Sequence, residues 1–114
     1  MNPNLLRGRV LSIAGSDSGG GAGIQADIKA IAALGCFAMT AVTAITVQNT
    51  QGVTGIHAIP EDIIAAQIES VLGDLGADCI KTGMLGTASV IETIAATLGS
   101  AARGIPLVVD PVMV

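Results

Sequence analysis

Five glycines fall within residues 15–23, between an apolar run and a segment with helical periodicity. A simple turn needs one or two glycines, so this density predicts a loop whose backbone another group approaches closely. Loop amides and the free N–H groups at the start of a following helix can hold an anion without a basic side chain. The residues alone therefore predict a loop that binds phosphate or a polar ligand. A flexible crossover without a ligand is the alternative.

Two nucleotide-binding motifs fit this loop poorly. A P-loop requires Lys and then Ser or Thr directly after its last glycine, but Gly and Ala stand at positions 21 and 22. Positions 21, 23 and 26 match the spacing of a dinucleotide fingerprint. No acidic residue follows at the distance needed to bind a ribose, because none lies between Asp27 and Glu61.

Polar residues in and beyond the loop are candidates for ligand contacts. Asp17 has the features of a turn residue, and Asp27 lies one turn into the predicted helix, where it either opposes the helix dipole or faces a ligand crevice. Gln48 and Asn49 follow the next strand. Their amides offer a donor and an acceptor side by side, the pattern that a heteroaromatic ring with an adjacent amine requires. A ligand role and a loop role are equally compatible with these two amides.

Three further residues stand at the ends of predicted strands. Lys81 is a base at such an end, and Met84 is core filler or the cover of a flat ring. Asp110 is a carboxylate at the tip of the last strand, suited to hold Mg²⁺ through water or to act as a turn residue.

The elements that must position these residues alternate between strand and helix. With helices of this length between apolar strands, the pattern predicts an α/β fold with a mostly parallel sheet of right-handed βαβ units, flanked by helices. A polar loop is expected over residues 47–52, and Gly73 and Gly99 are expected to end the second and third helices. The predicted strands are 9–14, 37–46, 54–58, 77–81 and 106–110, and the predicted helices are 23–34, one opening at Pro60, and 87–98.

Composition excludes several classes of function. Residues scored apolar make up 51% of the 114 and charged residues 12%, which is typical of a buried core rather than of a disordered chain. A net charge of −4 without a basic stripe, and Phe37 as the one aromatic residue, argue against nucleic-acid binding. Two cysteines without a CxxC pair predict a reducing, cytoplasmic environment. The first ten residues predict no signal peptide.

One membrane interpretation competes with the globular one. Residues 30–47 form an uncharged stretch of 18, near the lower limit for a bilayer span. Gly35 interrupts it, and its second half is rich in β-branched residues, so we expect no membrane segment.

Four separated motifs carry a resemblance to a known family. In order and spacing they are similar to hydroxymethylpyrimidine/phosphomethylpyrimidine kinases, which are ribokinase-like enzymes of thiamine biosynthesis. The motifs are IAGSDSGGGAGIQADIK at 13–29, AITVQNT at 44–50, KTGML at 81–85 and VDPVM at 109–113.

The resemblance implies an activity and a site. The family phosphorylates 4-amino-5-hydroxymethyl-2-methylpyrimidine and then its monophosphate, with ATP and Mg²⁺. It implies that the glycine loop belongs to the substrate pocket rather than to a phosphate site. The implied substrate-binding residues are Gly15, Asp27, Gln48, Met84 and Val112, and Asp110 is the implied carboxylate near metal and phosphates.

Family members are roughly twice as long as this chain, and their second half holds the nucleotide site, the anion hole and the catalytic base or thiol. We therefore expect residues 1–114 to be a single N-terminal portion of a kinase domain, inactive alone and without a catalytic residue of its own. An exposed sheet edge would favour a homo-oligomer, most simply a dimer. The alternatives are a pyridoxal kinase of the same superfamily and a non-catalytic pyrimidine-binding module.

Overall fold

A computed structural model describes residues 7–112, and that range contains five strands and three helices. Residues 1–6 and 113–114 lie outside it, so the signal-peptide prediction and the end of the VDPVM motif fall partly beyond the described residues. The elements are β1 (Arg9–Asp17), α1 (Gly23–Ala33), β2 (Phe37–Asn49), β3 (Gly52–Ala58), α2 (Glu61–Asp74), β4 (Cys79–Thr82), α3 (Ala88–Ala101) and β5 (Leu107–Val109).

The strands form one sheet in the order β3-β2-β1-β4-β5. Four of them are parallel, as the alternating pattern predicted, so their carboxyl ends meet at one edge of the sheet. The sheet is therefore mostly parallel, as expected; the exception is β3, which pairs antiparallel with β2. Only a tight turn at residues 50–51 separates these two strands, and a connection that short can form a hairpin but not a parallel crossover.

Alternating side chains of β1 face two different layers. Leu11 and Ile13 are fully buried in the core cluster, which also contains Ile64 and Ile68 of α2 and Ile94 of α3. Between Leu11 and Ile13, the side chain of Ser12 points to the other face and bonds to α1. The sheet thus has α2 and α3 on one face and α1 on the other.

The predicted ends of two strands near the site are wrong. β1 continues through Asp17, because Ser16 and Asp17 still pair with β2 after a register shift. β2 continues through Asn49, so the predicted polar loop at 47–52 is largely strand and turn, held by pairing with β3. Both strands therefore carry polar residues beyond their apolar runs.

Helix ends follow the predicted glycines in one case out of three. Gly35 has φ +80° just after the end of α1, as predicted. Gly73 lies inside α2, which instead ends near Gly76 with φ +69°. Gly99 lies inside α3, which continues to Ala101 because Leu98 and Ala102 still pack against the core.

Candidate active site

A cavity of about 430 Å³ opens at the carboxyl ends of β1, β2, β4 and β5. Ligands in open α/β sheets bind at this edge. Val53 and Ile56 of β3 line one side, and both are at least half exposed. The structure brings all six site residues implied by the resemblance to this one cavity: Gly15, Asp27, Gln48, Met84, Asp110 and Val112.

The glycine loop contains its own anion. The Asp17 carboxylate accepts backbone N–H groups from Gly19 at 2.7 Å, Gly21 at 2.9 Å and Ala22 at 2.8 Å. Burial alone would raise the pKa of Asp17, but these donors outweigh it and hold the pKa below its ordinary value. The loop amides are thus already paired within the chain. The interpretation of the loop as a phosphate cradle, made from its glycines alone, does not fit this geometry.

Close backbone contact explains the glycine at the start of α1. Gly23 has φ +59°, and a Cβ there would lie 2.3 Å from the carbonyl oxygen of Gly15. Gln25 connects α1 to the end of β1. Its side chain accepts a hydrogen bond from the Asp17 N–H and donates one to Ser16 Oγ, each at 2.8 Å. The helix start is therefore fixed against the end of β1.

Gln48 extends from the end of β2 into the cavity lining and is half-buried. Its Oε1 lies 3.2 Å from Thr46 Oγ1, and its backbone N–H donates to Ser18 Oγ at 2.8 Å. Ser18 thereby links the glycine loop to the strand that carries Gln48. Neighbouring Asn49 has a structural role instead, because its side chain accepts the Gln51 N–H at 2.9 Å and closes the β2–β3 turn.

Asp27 joins three elements in one polar cluster. Its Oδ2 accepts from Lys81 Nζ of β4 at 2.9 Å and from Ser12 Oγ of β1 at 2.7 Å. The sequence left open whether Asp27 opposes the helix dipole or faces a crevice. It lies beyond the first turn of α1 and lines the cavity, so the crevice interpretation is the one that agrees with the structure.

Met84 and Val112 provide apolar surface, and Asp110 is the acid at the cavity mouth. The Met84 carbonyl accepts from Thr43 Oγ1 at 2.8 Å, which fixes the segment after β4. Asp110 is exposed, and its backbone N–H donates to the Thr82 carbonyl at 3.0 Å. Among residues 7–112, no group of three or more His, Cys, Asp or Glu side chains converges on a metal position.

Comparison with known proteins decides the family. The sequence model described as phosphomethylpyrimidine kinase matches residues 17–114. The chain belongs to the phosphomethylpyrimidine kinase family. It is 56% identical over 110 residues to the hydroxymethylpyrimidine/phosphomethylpyrimidine kinase of Mycobacterium tuberculosis, a match that covers 96% of this chain and 40% of the relative.

Solved structures give the same fold. The phosphomethylpyrimidine kinase of Clostridium difficile 630 superimposes with a TM-score of 0.87 at 45% identity, covering 93% of this chain and 46% of that one. A pyridoxal kinase of Staphylococcus aureus in complex with pyridoxal gives 0.81 at 40% identity, covering 93% and 39%. The predicted ribokinase-like α/β fold is confirmed, and the chain spans less than half the length of these relatives.

No helix within residues 7–112 has the length and apolarity needed to cross a membrane. The uncharged stretch at residues 30–47 is divided between the end of α1, a turn and β2.

Sequence reasoning missed two hydroxyl groups at this candidate site. Ser12 and Thr46 are both buried, and they contact Asp27 and Gln48 respectively. A hydroxyl side chain inside an otherwise apolar strand needs a hydrogen-bond partner, and that requirement is the signal that could have found them. His57, at an exposed position of β3, is not among the residues that line this cavity.

Proposed function

We propose that this chain is the pyrimidine-binding portion of a kinase domain that transfers phosphate from ATP to 4-amino-5-hydroxymethyl-2-methylpyrimidine and to its monophosphate. The observation that carries the proposal is the convergence of Gly15, Asp27, Gln48 and Met84, from three separate motifs, on one cavity. Membership of the phosphomethylpyrimidine kinase family supports it.

The cavity lining suits a small flat heterocycle with an amino group. Gln48 offers an amide donor and acceptor, and Asp27 offers a carboxylate. Met84 and Val112 offer apolar surface to the ring faces. Gly15 adds no side chain beside them. A few polar groups set among apolar ones are typical of small-molecule sites, where the polar groups fix the orientation of the ligand.

Asp110 is the residue that would hold Mg²⁺. A single carboxylate fits this ion, because Mg²⁺ keeps several waters and is bound through one or two carboxylates together with substrate phosphates. The bound ion would neutralise charge on the transferring phosphoryl group. Phosphoryl transfer depends on positioning and charge stabilisation around the phosphates. Of the charged cavity residues within 7–112, Asp17, Asp27 and Lys81 already have partners in the chain, which leaves Asp110 for that purpose. We therefore propose that the 114 residues alone do not turn over.

Pyridoxal phosphorylation is the second candidate. Pyridoxal kinases of Staphylococcus aureus share this fold at 40% identity, and pyridoxal is also a flat heteroaromatic alcohol. The aminopyrimidine carries a ring nitrogen beside an amine, a donor and acceptor pair that matches the amide of Gln48. This difference makes Gln48 the residue that separates the two substrates. A non-catalytic pyrimidine-binding module would show the same preference in binding, but no effect of nucleotide.

Titration calorimetry on the 114-residue chain tests the proposal. We expect heat with the aminopyrimidine alcohol, weaker binding of pyridoxal, and about a tenfold loss of aminopyrimidine affinity in Gln48→Leu. Gln51→Leu is the matched control, because Gln51 is exposed in the β2–β3 turn and does not line the cavity. Tighter binding of pyridoxal, or equal losses in both variants, would refute the pyrimidine assignment. Release of ADP by the purified chain would refute its inactivity.

A further inference from the structure

We propose that Lys81 is a positioning residue: with Ser12 it holds one oxygen of the Asp27 carboxylate, so that the other oxygen selects ring ligands that carry an N–H donor. This inference rests on the proposed function, because it assumes that the cavity binds the aminopyrimidine. It assigns to Lys81 an effect on specificity that is exerted through Asp27 and not by direct contact with the substrate.

The two contacts fall on the same carboxylate oxygen. Asp27 Oδ2 receives both the Lys81 ammonium at 2.9 Å and the Ser12 hydroxyl at 2.7 Å. Within residues 7–112, Oδ1 accepts no hydrogen bond, although Asp27 lines the cavity. The side chains of Lys81 and Asp27 are 23% and 19% exposed, so solvent has limited access to the pair. Oδ1 is therefore the acceptor that remains for a ligand.

Three elements of the fold hold this carboxylate in place. Asp27 lies on α1, Ser12 on the central strand β1 and Lys81 on its neighbour β4, with Ser12 fully buried. The absence of a side chain at Gly83 makes room for the ammonium, because a Cβ there would lie 3.1 Å from Lys81 Nζ. A carboxylate held in this way loses little conformational freedom when a ligand binds.

The charge of Lys81 also affects which ring ligands the cavity can bind. The ammonium compensates the Asp27 charge, so a neutral ring can approach without meeting an unpaired anion. A ring without a donor would leave Oδ1 desolvated and unpaired, and sites built to hydrogen-bond a substrate group reject analogues that lack it. Loss of Lys81 would also free the Asp27 carboxylate from its fixed orientation, so it should weaken binding of rings that donate to Oδ1 more than binding of rings that make no such bond.

The experiment compares two ligands by calorimetry: 4-amino-5-hydroxymethyl-2-methylpyrimidine and its analogue without the 4-amino group. In Lys81→Met, which keeps most of the length of the side chain without its charge, we expect about a tenfold loss for the amino ligand and less than about twofold for the analogue. Ser12→Ala should give a smaller loss in the same direction, and Lys81→Arg should restore part of the preference. Arg103→Met also removes one positive charge, but Arg103 is exposed after α3 and does not line the cavity, so it should change neither affinity.

The outcomes separate this inference from the proposed function. If the unaltered chain binds neither ligand, the proposed function and this inference both fail. If it binds the amino ligand but Lys81→Met weakens both ligands equally, or neither, only the role of Lys81 is wrong. A loss confined to the monophosphate of the amino ligand would show that Lys81 contacts the phosphate directly, and would likewise overturn the inference. Equal thermal midpoints of Lys81→Met and the unaltered chain exclude misfolding as the cause of a loss.

Discussion

Gly15 and Met84 meet in the lining of the cavity: a Cβ at position 15 would lie 2.7 Å from Met84 Cε. The methionine methyl group therefore occupies the space that a side chain on β1 would otherwise fill. Because the contact is made by the far end of a flexible side chain, it can yield to a substitution without backbone movement. Residue 15 and residue 84 thus determine the shape of this part of the site together.

Gly15→Ala should reduce ligand affinity more than stability. Met84 must move aside, at a cost to folding of about 1 kcal/mol, and its displaced methyl group narrows the cavity. We expect about a tenfold weaker affinity for the aminopyrimidine alcohol by calorimetry. Adding Met84→Ala to Gly15→Ala should recover part of that loss. Strictly additive losses in the double variant would show that the two residues do not act on the same space.

Gly23→Ala should be strongly destabilising. The new Cβ would lie 2.3 Å from the Gly15 carbonyl oxygen, and φ +59° is strained for any residue with a side chain. Neither backbone can move without breaking the register of β1 or the start of α1. We expect the free energy of unfolding, measured with urea, to fall by about 3 kcal/mol or more.

Gly99→Ala is the matched control for that substitution. Gly99 lies inside α3, and a Cβ there would meet no atom within 4 Å. Alanine in an exposed helix interior should raise the free energy of unfolding by about 0.5–1 kcal/mol. A similar destabilisation by both substitutions would show that the close approach of the Gly15 carbonyl oxygen does not explain why residue 23 is glycine.

The fold was predictable wherever apolar periodicity decided it. Ile64 and Ile68 mark the buried face of α2, and the apolar run that contains Leu11 and Ile13 marks β1. The direction of β3 was not predictable from its residues, because direction depends on the turn geometry after Asn49. The end of α3 was missed for a related reason: packing of Leu98 and Ala102 outweighs the helix penalty of Gly99.

The candidate site was only partly predictable from residue chemistry. Strand ends identified Gln48 and Asp110 as groups at the sheet edge, and the structure brings both to the cavity. The interpretation of the glycine loop as an anion site was wrong because Asp17, inside the same loop, takes its amides. Sequence spacing cannot show which of several possible anions a set of N–H groups will bind. The link between Asp27 and Lys81, which are 54 residues apart, required the structure.

The Asp17 contribution to stability should disappear in acid. Its folded pKa is lowered, so the stabilisation is present above the unfolded pKa of about 3.9 and is lost as pH falls further through the folded pKa. Asp17→Asn replaces one acceptor oxygen with an amide nitrogen and removes the charge. We expect the difference in unfolding free energy between Asp17→Asn and the unaltered chain to be constant near neutral pH and to shrink below about pH 4.

Asp74→Asn serves as the control for this pH profile. Asp74 is an exposed carboxylate at the end of α2, so its replacement should give a small difference at every pH. Glu61 and Asp78 also have lowered pKa values, held down mainly by hydrogen bonds from Thr93 and Arg9 respectively. The quantity to compare is therefore the difference in unfolding free energy between a variant and the unaltered chain, because Glu61 and Asp78 contribute equally to both. A difference for Asp17→Asn that persists unchanged into acid would contradict a charge-based role.

Self-association should depend on the free edge of β5. The side chains of Leu107, Val108 and Val109 are about half exposed, and the strand pairs with β4 on one side only among the described residues. Unpaired backbone groups beside apolar side chains favour pairing with a second copy. We expect Val108→Lys to shift sedimentation equilibrium towards monomer, because two copies would place like charges close together. Ile91→Lys adds the same charge on the exposed surface of α3 and should leave the equilibrium unchanged. If both variants associate as the unaltered chain does, the association uses another surface.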